Sequence, residues 1–225
     1  MCPIIFYGDE KSRRHRYYFV TLSFPSPKKT EAFIIGEMIL LTGASASGKT
    51  EVAKLLRSKY GIVKAITETT RPPRVGETNG VDYYFVSESE FQNDIKEGKL
   101  VEHTLYNGHY YGCPKKEVTH QKCIVVDPNG LRSFLALADA SVVTFYLEAS
   151  EDTREARMKH RGDTEENIVK RIEGDRIDFA KDNIAPTDFH IATDERGLEE
   201  IADDIYVKYV LTLKSRHLGT ITLPK

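Results

Sequence analysis

Cysteine is scarce in this chain: Cys2, Cys113 and Cys123 are the three in 225 residues, and they have neither the paired spacing of a disulfide framework nor that of a metal site. Free thiols in a reducing compartment are the economical expectation. Long apolar runs are missing as well. No stretch approaches the roughly 18 residues of a membrane span, and no basic segment followed by a long apolar one opens the chain, so a cytoplasmic location without a membrane partner is expected. Net charge is small, formally -2, which offers no global attraction for nucleic acid or anionic lipid. Any basic function has to be local.

What is present is an ordinary globular composition, 40% hydrophobic and 29% charged, in a chain long enough for one sizeable domain with inserted lobes. Residues 1–37 stand apart. "GDEKSRRHRYYF" is a charge cluster running into aromatics, and "PSPKKT" sets two prolines beside two lysines, neither with a regular period. They read as a solvated extension or a start assigned too far upstream, since Met38 immediately precedes the first convincing strand; a basic arm for a partner is the alternative.

From Met38 the pattern becomes informative. "MILLTG" is an apolar run ending in glycine, as in a buried parallel strand, and "KTEVAKLLRSKYG" has helical spacing with a glycine stop. Between them lies "GASASGKT", Gly43 to Thr50, the pattern G-x-x-x-x-G-K-[ST] in its required strand, loop and helix context. Backbone N–H groups of Gly43, Ala44, Ser45, Ala46, Ser47 and Gly48 suit a phosphate, Lys49 supplies a mobile charge, and the Thr50 hydroxyl suits Mg²⁺. A nucleoside triphosphate is therefore the expected ligand, with the reaction still open.

Further along, "IVKAIT", "CIVVD", "SVVTFYL" and "FHIAT" read as core strands. "YYFVS" is extended, Ser87 and Glu90 form a capping box, and "LVEHTLYNGHYYG" is a hairpin turning at Asn107–Gly108. "SEDTREARMKHRG" and "TEENIVKRIEGDRIDFAKDN" are charged helices with Ser and Thr caps, and a last helix begins near Arg196. The expected fold is α/β: a parallel sheet flanked by helices, with a small β-rich insertion and a helical arginine-rich one.

"TTRPPRVGETNGVDYYF" places Arg71 and Arg74 three residues apart on a loop stiffened by Pro72 and Pro73, where two guanidinium forks suit a phosphate; spacing alone equally allows a solvated basic loop. Tyr83 and Tyr111 in the same insertion add hydroxyls or simply pack. "TTRPPRVGETNGVDYYFVSESEF", then "GKLVEHTLYNGHYYGCP" and "RMKHRGDTEENIVKRI", in that order, closely resemble guanylate kinases over most of residues 38 to about 205. The resemblance implies a P-loop nucleoside monophosphate kinase of purine metabolism that moves the γ-phosphoryl of ATP, with Mg²⁺, to GMP or dGMP.

It also implies boundaries and roles: a domain over 38–215 with a GMP-binding lobe near 68–122, a lid near 150–175, and a tail from 216 to 225. Thr67, Arg71, Arg74, Tyr83 and Tyr111 would hold the GMP phosphate. Glu102 would read the adjacent N1–H and N2 donors of guanine, which adenine lacks. Lys49, Arg157, Arg161 and Arg171 would act on the moving phosphoryl group. The pattern departs from the family's usual one at Cys113, where Ser or Thr helps read the base, and at Val125 beside Asp127, the candidate for a base contact or a Mg²⁺-bound water. Thr193 stands for an asparagine and Asp178 for a glutamate. Two rivals follow: a kinase of another small phosphorylated acceptor, and a non-catalytic guanylate-kinase-like binding module. The intact Gly43 to Thr50 loop and the complete acceptor set weigh against both. No interface pattern speaks to the oligomeric state.

Overall fold

The computed structural model describes residues 38–74, 76–106, 108–119, 121–137 and 142–217; the expected extension over 1–37 lies outside them, as do Asn107 and residues 218–225. In chain order the elements begin with β1 (Met38–Thr42), α1 (Lys49–Tyr60), β2 (Val63–Lys64), β3 (Glu68–Thr69), β4 (Tyr84–Phe85) and α2 (Glu88–Lys96). They continue with β5 (Leu100–Tyr106), β6 (His109–Pro114), a 3₁₀ turn (Lys115–Glu117), β7 (Lys122–Val125), α3 (Pro128–Ala136) and β8 (Val142–Glu148). The last are α4 (Glu151–Arg161), α5 (Glu165–Asp178), a 3₁₀ turn (Lys181–Asn183), β9 (Phe189–Ala192) and α6 (Leu198–His217).

Two sheets result. The core sheet has the order β2-β7-β1-β8-β9 and every pair in it is parallel, as strands joined by helical crossovers should be. β1 lies at its centre with all five residues buried, so Ile39 and Leu41 face one apolar layer with α1 and α6, while Met38 and Leu40 face the other with α3. Both faces covered explains why this strand reads as a continuous apolar run and not as an alternation. The second sheet, β4-β3-β6-β5, is mixed: β5 and β6 form the antiparallel hairpin, closing at Tyr106 and His109, and β3 pairs parallel with β4.

Helix ends follow their local chemistry. Ser87 accepts from Glu90 N–H while Glu90 returns a bond to Ser87 N–H, Asp127 caps α3 through Gly130 N–H at 2.7 Å, and Ser150 and Thr164 cap α4 and α5. Two boundaries differ from the sequence reading. "IVKAIT" yields only Val63–Lys64 as strand, because Ile66 N–H leaves the sheet for the Glu117 carboxylate at 2.9 Å. The expected tail is shorter, since α6 extends through Arg216 and His217, and Arg216 bonds the Val142 carbonyl and Asp188.

The chain crosses from core to second sheet after Ala65 and returns before Lys122. Glu117, almost wholly buried, stands at both crossings: besides Ile66 N–H it accepts from the Tyr84 hydroxyl at 2.8 Å and pairs with Lys122 at 2.5 Å. These bonds hold its carboxyl below the usual range although burial pushes the other way.

Candidate active site

At the carboxyl end of β1 the chain turns into a loop that only particular residues can form. Gly43 has φ 147°, and a Cβ there would sit 2.3 Å from the Leu147 carbonyl oxygen of β8, so glycine is required for the loop to cross its neighbour strand. Gly48, at φ 99°, caps α1 in the left-handed region. Ala46 is left-handed too, at φ 59°, without being glycine, a conformation that the surroundings must hold in place.

Three neighbouring elements do so, one for each of three consecutive loop residues. Asp175 of α5 accepts from Ser45 N–H at 2.9 Å and from Ser45 Oγ at 3.1 Å. Arg157 of α4 donates to the Ala46 carbonyl at 3.2 Å and to both oxygens of Thr193. Thr193, fully buried after β9, donates in turn to the Ser47 carbonyl at 3.2 Å. Lys49 Nζ folds back on the Gly43 and Ala44 carbonyls at 2.6 and 2.7 Å and on Ser47 Oγ at 3.3 Å. Burial pushes its ammonium down to about 8, opposed by Asp175 and aided by Arg154. Thr50, in the first turn of α1, is exposed.

A second cluster forms on the β-rich sheet. Arg71 spans Glu77, at 2.8 Å, and the Pro72 carbonyl, with its guanidinium 5.4 Å from the Tyr83 ring centre and 5.8 Å from that of Phe85. Glu77 and the Tyr111 hydroxyl raise its basicity further. Tyr83 and Tyr111 meet edge to face at 6.2 Å. Glu77 also accepts from Arg74 N–H at 2.7 Å, which fixes the Pro72–Pro73 turn, while the Arg74 side chain is exposed. Thr67 precedes β3 and accepts from Tyr84 N–H through its carbonyl. Arg71, Tyr83 and Tyr111, all half-buried, are thus brought together, with Lys64 of β2 5.0 Å over the Tyr83 ring.

Glu102 on β5 pairs in register with Cys113 on β6. Burial raises its carboxyl to about 7, the Asp127 charge adds to the rise, and the Cys113 backbone N–H opposes it. Cys113 is buried with Sγ against the Pro114 carbonyl, and burial with the Glu102 charge pushes its thiol far up, so it is an inert neutral neighbour. One oxygen of Asp127 is committed to capping α3.

The three arginines expected to act together do not all gather at the loop. Arg157 contacts it; Arg161 pairs with Asp163, and the exposed Arg171 also lowers the Asp163 carboxyl, so these two lie near one another at the surface. Asp178 is exposed at the end of α5 and Val125 is half exposed at the end of β7. Sequence reasoning missed Arg154 and Asp175, both buried and joined at 2.6 Å. A signal was there: Asp175 continues the buried stripe of Ile168 and Ile172, and an acid on an apolar stripe needs a partner.

The family model described as guanylate kinase matches residues 36–209. The chain belongs to the guanylate kinase family. Curated relatives named guanylate kinase include one from Nostoc sp., 35% identical over 177 residues, spanning 75% of this chain and 83% of the relative. Another, from Neisseria gonorrhoeae, is 32% identical over 84% of this chain and 96% of its own length, and one from Sus scrofa is 33% identical over 63% and 76%. The crystal structure of guanylate kinase from Anaplasma phagocytophilum shares the fold, with a TM-score of 0.57 at 24% identity, covering 85% of this chain and 98% of that one. Guanylate kinase family members are nucleoside monophosphate kinases, so nucleotide chemistry matches the loop. No helix among the described residues is long and apolar enough to cross a membrane.

Proposed function

We propose that the protein transfers the γ-phosphoryl group of ATP to GMP or dGMP, and that the guanylate-kinase-like domain spans residues 38–215. The observation that carries the reading is that one chain holds an intact triphosphate cradle, Gly43 to Thr50, together with the full acceptor set of Arg71, Tyr83, Glu102 and Tyr111 on its second sheet. Loop N–H groups at the start of α1 bind the donor phosphates, and the Lys49 ammonium leaves its carbonyl contacts to follow the group in transfer.

On the acceptor side, Arg71, Arg74, Tyr83, Tyr111 and Thr67 hold the GMP phosphate. The ionised Glu102 accepts from N1–H and N2 of guanine, with Cys113 and Asp127 bordering the base. Adenine would set its N1 acceptor against that carboxylate and leave both without a donor. Arg157 steadies the loop from α4, and Arg161 and Arg171 add positive charge when the helices of the lid region move inward, which excludes water and favours transfer over hydrolysis. No general base is needed, because the acceptor oxygen is already anionic.

The Thr50 hydroxyl, an exposed hard oxygen at the helix start, suits Mg²⁺ brought in with the triphosphate. Bound there, the ion would supply charge neutralisation to the phosphates. Among the described residues no group of three or more His, Cys, Asp or Glu side chains is placed to hold a metal, so a metal delivered by the nucleotide fits this donor set. The test is ADP formation from ATP with GMP, dGMP, AMP, CMP and UMP in parallel: GMP and dGMP should be strongly preferred, and equal turnover of AMP would overturn the assignment of Glu102.

A further inference from the structure

Arg154 and Asp175 are the most deeply buried ion pair beside the donor loop, and nothing in the transfer step uses them. Asp175 Oδ2 accepts from both Arg154 Nη1, at 2.6 Å, and Ser45 N–H, at 2.9 Å, while its Oδ1 accepts from Ser45 Oγ at 3.1 Å. Both side chains are under a tenth exposed. Tyr146 on β8 lies in the field of both, together with Glu148. As a source of stability the arrangement is poor. Two charges have left water, and Arg154 Nε, a buried donor, has no partner among the described residues. A pair of neutral side chains of similar size would fill the same space at no loss.

What the pair does accomplish is geometric. Ser45 immediately precedes Ala46, the non-glycine residue at φ 59° whose conformation must be imposed from outside. Arg157 holds the far side of that residue through its carbonyl, and Asp175 holds the near side through two bonds to Ser45. A carboxylate can accept both bonds at once, and the bond from Arg154 Nη1 keeps it aimed.

We propose that Asp175, oriented by Arg154, is a positioning residue that fixes the Ser45–Ala46 turn of the loop and thereby sets affinity for the donor triphosphate. This rests on the reading of Gly43 to Thr50 as the donor cradle. Through Asp175, α5 is tied to the loop that α4 reaches through Arg157, so occupancy of the cradle and the placement of both helices are linked.

The experiment compares the full chain, Asp175→Asn and the double variant Arg154→Met with Asp175→Asn, in magnesium-containing buffer. Dissociation constants are measured for a fluorescent N-methylanthraniloyl ATP analogue and separately for GMP, alongside melting temperatures. The expected result is a loss of donor affinity of about tenfold or more in both variants, with GMP affinity within about twofold and the double variant melting no lower than the wild-type protein. Donor affinity restored by the neutral pair would overturn the inference, as would parallel loss of donor and acceptor affinity in step with melting. Failure of the double variant to fold would assign the pair to stability and overturn it equally. Absence of donor binding in the unmutated chain would instead overturn the reading of the cradle.

Discussion

In the proposed reading the donor loop and the acceptor sheet solve the same problem, holding a phosphate, by opposite means. In the loop, every cation already has a protein partner: Lys49 lies on backbone carbonyls, Arg157 on Ala46 and Thr193, and Arg154 on Asp175, all with little solvent. Around the acceptor sheet, Arg74 is exposed, as is Lys64 on the neighbouring core strand β2, while Arg71 pairs with Glu77 and rests against tyrosine and phenylalanine rings. A buried cradle made of backbone is rigid but forces its cations to be satisfied in the empty state, so the ligand must displace existing bonds. The sheet side presents Arg74 and Lys64 at the surface, and in the proposed reading its selectivity rests on one half-buried carboxylate, Glu102.

If that contrast is right, the two regions fail differently. Lys49→Ala should remove turnover by about a thousandfold or more while the chain still folds; retained turnover would refute its role. Glu102→Gln should lower kcat/KM for GMP by about a hundredfold and leave binding of the ATP analogue alone. Equal loss on both substrates would erase the distinction between the regions.

The acidity of Glu102 sharpens the comparison. Its free-state carboxyl, raised to about 7, must be ionised to accept from guanine, so kcat/KM for GMP should fall as pH drops through about 7 while donor affinity does not follow. The stability consequence has its own sign. A carboxyl with a raised folded value favours the folded state below its unfolded value of 4.5 relative to high pH, and that contribution is lost as pH rises through about 7. Glu102→Gln should therefore melt higher than wild type at pH 8 and not at pH 4.5, a difference that scanning calorimetry would read. Arg71→Lys should raise KM for GMP about tenfold, because a point charge cannot reproduce a fork braced by Glu77 and two rings. The smallest effect expected is that of removing residues 1–37, which should leave both substrate constants unchanged.

How much of this was legible in the sequence depends on how local the signal is. The cradle is eight consecutive residues whose spacing is dictated by one turn, so it could be read outright, as could β1, buried on both faces. The capping box at Ser87 and Glu90 and the hairpin were equally local. The acceptor cluster draws on Arg71, Tyr83 and Tyr111, far apart in the chain, and spacing alone left them divided between clamp and packing. Only the ordered likeness to a family joined them, and the structure then brought the three side chains together.

What sequence reading could not see was the support of the loop. Asp175 and Arg154 sit on different helices, 21 residues apart, and meet Ser45, 130 residues from Asp175. Asp178 drew attention in its place because it breaks a family habit, yet it is exposed at a helix end. The split of the arginines had a similar cause. Arg157 and Arg161 are four residues apart on α4, but Gly162 ends the helix and Asp163 pairs with Arg161, while Arg157 bonds the loop.

Glu117 has a consequence for how the two sheets are joined. The polypeptide passes between them twice, and both passages end on the same carboxylate, through Ile66 on the way out and Lys122 on the way back, with Tyr84 of the second sheet as the third contact. Two tethers share one knot: loss of this carboxylate would leave the Ile66 N–H, the Tyr84 hydroxyl and the Lys122 ammonium short of an acceptor together, so the two crossings stand or fall as a unit.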